Sequence, residues 1–249
     1  MFNNGYTIGR VFGIPIKLDI SLIILVIWMW WDYGMERGAF AAAALLLSIV
    51  LHELGHSLVG MQMGCRVREI TLLLLGGRAV LEHMPRKPWQ EFLMALAGPA
   101  VSAALAVGSW LALPAIRASM GAKIADYTLW HVSVLNAVLC VFNLLPAFPM
   151  DGGRVLRAML AHPLGLVRAT RIAMYVGRVI AVLMALAALW PPHSNYLLLL
   201  VALFVFSASG QEYRLVLYEA GHTTWPGKGG YASPDDEVVV SPPPYRRDE

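Results

Sequence analysis

Long apolar runs separated by short polar joints make up most of this chain, and their lengths predict its elements. Residues 18–31, 39–61, 89–113, 128–145 and 167–190 are such runs, and a sixth covers 196–206 and extends to 218. A helix needs about 20 apolar residues to cross a hydrocarbon layer of about 30 Å. The first run is short by that measure, and Trp28, Trp30 and Trp31 at its far end suit an interfacial belt. The third is expected to kink or restart at Gly98-Pro99, and the fourth to stop at Pro146 and Pro149 inside the membrane. Two stretches break the helical pattern. Residues 8–17, IGRVFGIPIK, predict a short strand or extended arm. Residues 65–84 place Gly76-Gly77 between two β-prone runs, the spacing of a two-residue hairpin turn. A short amphipathic helix is expected at 154–161, after Asp151-Gly152-Gly153. The predicted fold class is an all-α membrane protein: about six transmembrane helices with a small membrane-associated β-hairpin. Residues 1–218 form one domain, and 219–249, polar and containing Pro242-Pro243-Pro244, are expected to be a disordered tail.

Composition agrees with the pattern. Of 249 residues, 58 % are hydrophobic and 14 % charged, against about 25 % charged in soluble domains. Residues 1–19 have no short apolar core with a small-residue cleavage site, so the first run is expected to act as an uncleaved anchor. Cys65 and Cys140 have neither disulfide-scaffold nor metal-ligand spacing. Charge sets the expected orientation. With six spans and the N-terminus inside, only Arg37, Arg117 and Lys123 of the 19 Lys and Arg residues fall outside. The positive-inside rule then puts both termini in the cytoplasm. The basic residues are needed for this topology, so the net charge of +3 gives no reason to expect nucleic acid as a partner.

The second run carries the candidate chemistry. Residues 45–60 read LLLSIVLHELGHSLVG, with His52, Glu53 and His56 in otherwise apolar surroundings. Histidines four apart share a helix face and can bind one metal ion, while a carboxylate beside the first can reach a metal-bound water. The competing reading is two helix histidines satisfied by backbone or by each other. Against it, each charged group at the bilayer centre costs about 2.5–3.5 kcal/mol. The topology sets the motif about 8–15 Å below the cytoplasmic surface. A zinc site with two histidines needs a third protein ligand and leaves one position for water. Asp151 follows the helix break of the fourth run at similar depth; its alternative role is an N-cap of the helix that follows. Asp19, Asp32, Glu36, Glu69, Glu82, Glu91 and Asp126 lie at the start of the first run, on the opposite side, or in and beside the hairpin.

HELGH at 52–56, AGPA at 97–100 and NLLPAFPMDGGR at 143–154 together resemble the site-2 proteases, intramembrane zinc metalloproteases of peptidase family M50. The resemblance covers about residues 8–218. It implies one Zn2+ per chain held by His52, His56 and Asp151, with Glu53 as general base. It also implies a six-span core, a β-hairpin near the site and a catalytic centre open to the cytoplasm. The partner it implies is a membrane-anchored substrate such as an anti-sigma factor or a membrane-bound transcription factor. Ser102 stands where relatives often have Asn, a difference expected to touch helix packing more than catalysis. Many prokaryotic relatives continue into nucleotide-sensing CBS domains; a polar tail here gives no expectation of ATP-linked regulation.

Some residues carry two readings. Asn143 would hold the substrate backbone or the oxyanion, or else make an interhelical hydrogen bond; for Asn136 packing is preferred. Gly76 and Gly77 either present an edge for strand addition by substrate or are simply a turn. His83, His131, His162, His193 and His222 are expected to be solvated. Two other functions compete: a metal-ion transporter using His52, Glu53, His56 and Asp151, and an inactive, binding-only relative.

Overall fold

The computed structural model describes residues 6–73, 76–81, 87–118, 123–190 and 195–222. The chain starts with an antiparallel pair, β1 (Tyr6–Val11) and β2 (Ile14–Leu18), turning at Phe12 and Gly13, both with positive φ. Two helices follow, α1 (Ile20–Tyr33) and α2 (Met35–Gln62), separated by Gly34 at φ 78°. The chain then returns to β3 (Val67–Leu73), which pairs parallel to β2, and β4 (Gly76–Leu81), antiparallel to β3. The extended arm expected at 8–17 is thus half of a four-stranded sheet ordered β1-β2-β3-β4. Its apolar face packs on the first two helices: Ile14, Ile16, Ile70 and Leu72 form one core with Leu22, Ile49 and Leu54.

The remaining helices are α3 (Pro88–Ala118), α4 (Lys123–Asn143), α5 (Asp151–Leu164), α6 (Leu166–Leu189) and α7 (Tyr196–His222). Of these and the first two, α2, α3, α4, α6 and α7 are long and apolar enough to cross a membrane. At 14 residues α1 spans about 21 Å, short of the hydrocarbon thickness, as its sequence foretold. Trp110, Leu111, Leu183 and Leu200 are more than half exposed, as expected of side chains that face lipid.

Four expectations need correction. The third run does not restart at Gly98-Pro99: α3 is one helix that includes Pro99 and Pro114. Neighbouring helices in a bundle re-satisfy the backbone that proline frees. Gly76 and Gly77 are not the turn. They open β4, opposite Leu73 and Leu72, so the connection falls on residues 74–75, outside the described residues. The amphipathic helix α5 starts at Asp151 and runs to Leu164, longer than expected at both ends. Helix α7 continues to His222, past the expected domain boundary; the rest of the expected disordered tail, 223–249, lies outside the described residues.

Packing sets the depth of the site. The α2 helix crosses α3 closely, because a Cβ on Gly55 would lie 2.9 Å from the Ala97 carbonyl oxygen. On its other side α3 packs against α4 and α5, and α6 lies between α5 and α7. A buried ionic cluster ties three of these together. Arg157 of α5 bonds Glu91 of α3 through Nε at 2.9 Å and through Nη2, and Glu212 of α7 through Nη1 at 2.7 Å. Its guanidinium also lies over the ring of Phe148, 5.1 Å from the centroid.

Truncating one partner of a buried pair leaves the other charge poorly compensated. Glu91→Ala is therefore expected to lower stability by about 3 kcal/mol, measured by denaturant unfolding in detergent micelles. Glu212→Gln, at the more exposed end of the cluster, is expected to cost less.

Candidate metal centre

His52 and His56 project from one face of α2 toward α3. Each is anchored by its outer ring nitrogen: His52 Nδ1 lies 2.9 Å from Ser102 Oγ, and His56 Nδ1 lies 2.7 Å from the Met94 carbonyl oxygen. A carbonyl can only accept, so His56 Nδ1 carries a proton, and in the neutral ring Nε2 then presents a lone pair. Ser102 Oγ can accept from His52 Nδ1 as well, which is the direction that leaves His52 Nε2 free for a metal. The supports repeat the spacing of the histidines. Met94, Gly98 and Ser102 are four apart on α3 and face residues four apart on α2.

Gly98 is the middle of that ledge. A Cβ there would overlap His56 Nε2 and lie 2.7 Å from His52 Nε2. Both rings are held from behind, so neither can swing away from an added methyl.

Asp151 supplies the third donor. The α4 helix ends at Asn143, and the chain passes through Pro146, buried Ala147 and Phe148, and Pro149 before α5 begins. Phe148 is fixed by Arg157 and by Ser209 of α7, whose hydroxyl donates to its carbonyl at 2.9 Å. Asp151 is the first residue of α5. The N-cap position is Met150, without a side-chain cap bond, so the alternative expected for Asp151 does not hold. Its Oδ2 lies 3.2 Å from His52 Nε2 and 3.1 Å from His56 Nε2, and the two Nε2 atoms are 3.2 Å apart.

This triangle fits a cation. Two lone-pair nitrogens and a carboxylate oxygen repel one another at 3.1–3.2 Å unless a positive charge lies between them. A tetrahedral zinc with bonds of about 2.0–2.1 Å sets its ligand atoms roughly 3.3–3.4 Å apart, close to what is found. Among the described residues these three side chains form the one group of three metal-capable donors.

The triangle opens on a cavity of about 360 Å³. Glu53 is on its wall, 7 % exposed, one residue from His52. Strand β4 passes directly over it: a Cβ on Gly77 would overlap the Glu53 side chain, 2.8 Å from Oε1. Asn143 lines the same cavity, with Nδ2 donating to the Leu139 carbonyl of its own helix at 2.9 Å. Apolar walls come from Ile49, Leu139, Phe142 and, across the opening, Val201, Phe204 and Val205 of α7. Asn136 is fully buried away from the cavity, bonding Ser48 Oγ at 2.7 Å and the Val132 carbonyl at 2.8 Å, a packing role as expected.

Comparison with known proteins agrees with this geometry. The sequence matches Peptidase family M50 over residues 40–123 and 107–184. The chain belongs to peptidase family M50. A zinc metalloprotease of Methanocaldococcus jannaschii is 37 % identical over 221 residues, which cover 87 % of this chain and 63 % of that protein. Stage IV sporulation protein FB of Bacillus subtilis is 31 % identical over 160 residues, covering 62 % of this chain and 54 % of that protein. The chain thus spans between half and two thirds of the length of these relatives. In fold it matches the solved site-2 protease from Methanocaldococcus jannaschii with a TM-score of 0.66 and 36 % identity, over 84 % of this chain and 95 % of that one. Zinc is the metal named for the M50 relative, and the donor set here suits it.

Ser102, Gly98 and the Met94 carbonyl are what reading the sequence missed. Ser102 was expected to serve helix packing; instead its hydroxyl holds His52. The available signal was the repeat of four on both helices, Met94-Gly98-Ser102 against His52-His56.

Groups that orient metal ligands from behind are worth about 10–100-fold in metal affinity. Ser102→Ala is expected to weaken zinc binding by about that factor in competition with a fluorescent chelator, and Ser102→Asn, which keeps an acceptor, by less. Gly98→Ala is expected to abolish stoichiometric zinc while the helical circular dichroism is retained.

Proposed function

We propose that the chain is an intramembrane zinc metalloendopeptidase, with His52, His56 and Asp151 as metal ligands and Glu53 as general base. The observation that carries this reading is the convergence of three anchored donors on a cavity that also holds an acidic side chain, among membrane-crossing helices. A bound zinc would polarise a carbonyl and bring a coordinated water toward a pKa of about 7.

The chain's own residues do the rest. Glu53 takes a proton from the attacking water as the new C–O bond forms, then gives it to the amide nitrogen as the C–N bond breaks. Apolar walls hold this chemistry apart from bulk solvent, which strengthens each charge–dipole interaction inside. Strand β4 is an edge strand, unpaired on its outer side among the described residues, and its Gly77 lies over Glu53, so an extended substrate segment can add alongside it at Gly76 and Gly77. Absence of a side chain at Gly77 leaves room for Glu53; that is its first role in this reading. Asn143 gives the substrate backbone a second polar contact.

The substrate class follows from the location. A scissile amide in an intact transmembrane helix is shielded, so the target is a membrane-anchored protein whose spanning segment unwinds to reach β4. An anti-sigma factor or membrane-bound transcription factor fits that description, as in regulated intramembrane proteolysis. Charge distribution supports cytoplasmic termini and a cytoplasmic opening.

In proteoliposomes with a single-span substrate, cleavage is expected to stop on chelation and return with zinc. Glu53→Gln should keep its zinc and lose about two to four orders of magnitude in kcat, whereas Asp151→Ala should lose the metal. Full cleavage by Glu53→Gln removes it as the base; zinc flux into sealed vesicles without any cleavage would favour a transporter instead. For orientation, Arg168→Cys should react with a membrane-impermeant maleimide only from the cytoplasmic side.

A further inference from the structure

Helix α5 carries two arginines one turn apart, and their surroundings differ sharply. Arg157 is buried, and Glu91 and Glu212 take up its guanidinium. Arg154 is half-buried on the cavity wall with Glu53 and Asp151, and makes no hydrogen bond or ion pair among the described residues. It follows Asp151 by three residues, so both project from one face of the helix. Zinc binding, as assigned above, leaves Arg154 unused.

Other polar groups on the wall are poorer donors. Ser57 Oγ has no partner, yet Ser57 has no exposed surface and offers a single hydrogen. Asn143 spends one amide hydrogen on its own helix. Glu53 and Asp151 accept when ionised. Among the described cavity-lining residues Arg154 is the one Lys or Arg, and it offers a planar fork of N–H groups in apolar surroundings.

Resting on the peptidase reading, we propose that Arg154 is a further catalytic residue whose guanidinium donates hydrogen bonds to the scissile carbonyl oxygen. As water adds to the carbonyl carbon, the C=O π pair moves onto that oxygen, and it returns when the C–N bond breaks. Arg154 neither gains nor loses a proton in this cycle. Its contribution is a fixed positive charge that meets negative charge only while that charge exists, which raises kcat rather than substrate affinity.

The test uses the full chain in proteoliposomes with the single-span substrate, beside zinc analysis and thermal unfolding of each variant. Arg154→Ala is expected to bind zinc with the parent's affinity, hold KM within about threefold, and lose about 100–1,000-fold in kcat. Added methylguanidinium should restore part of that loss to Arg154→Ala and none to Glu53→Gln. Arg154→Lys, which keeps the charge and loses the fork, should fall between parent and alanine variant. Two results overturn the proposal: kcat of Arg154→Ala within about threefold of the parent, or a loss that excess zinc alone makes good. The second would make Arg154 a counter-charge to the ligands. A parent chain that cuts no substrate overturns the peptidase reading itself, and Arg154 with it.

Discussion

The site rests on two hydrogen bonds made on the far side of the imidazoles from the cavity. With Nδ1 of His52 and His56 tied to Ser102 and the Met94 carbonyl, both rings can only point their bare Nε2 atoms the same way. Asp151 Oδ2 lies 3.1–3.2 Å from both, so three electron-rich atoms converge and need a positive charge among them, a proton or a metal ion. Burial sharpens that need: His52 is 2 % exposed, and little water is at hand to separate the donors. A divalent cation turns the repulsion into coordination, so the fold stores the condition for metal binding in the packing of α2 on α3. Gly55 and Gly98 are what let the two backbones come close enough for those bonds.

Asp151 arrives from a different part of the chain, and its placement is secured separately. Neither end of the segment from Pro146 to Met150 can supply rigidity by a regular backbone ladder. Instead Ala147, Phe148 and Met150 are buried, Ser209 holds the Phe148 carbonyl and Arg157 stacks on its ring. Arg157 in turn bonds Glu91, one turn before Met94 on α3. The same guanidinium thus braces the carboxylate arm of the site and the helix that carries both histidine supports. A buried ion pair is a poor source of stability when an apolar pair would fit, but it fixes the relative position of three helices with directional bonds, which apolar contacts do not.

Much of this was legible in the sequence, for reasons that also explain the gaps. His52, Glu53 and His56 stand out because ionisable groups in a greasy helix are expensive, and Asp151 because a proline-bounded helix break at membrane depth needs a purpose. Run length identified every long helix. What failed was whatever depends on a neighbour distant in sequence. Gly76-Gly77 suited a two-residue turn in isolation, but the register with β3 puts both in strand β4, opposite Leu73 and Leu72, and gives Gly77 a steric task over Glu53. Pro99 suggested a kink or a restart, yet α3 does not restart there, packed as it is against α2 and α4. Ser102 looked like a packing residue because nothing local shows that His52 lies opposite; only the shared repeat of four on the two helices encodes it.

Charge balance explains why a cavity among membrane helices tolerates so many ionisable groups. Without a metal, Glu53, Asp151 and Arg154 leave one net negative charge among apolar walls, and the two carboxylates repel. A dication reverses the sign to one net positive charge. An amide substrate is neutral when it enters, but its carbonyl oxygen becomes negative as water adds. The proton that water loses passes to Glu53, so the net charge stays the same; the difference between the two states is where the negative charge lies, moved from Glu53 onto the oxygen that Arg154 faces in this reading. In a low-dielectric site that difference is worth more than it would be in water, and it favours the transition state over the ground state, the condition for a faster chemical step.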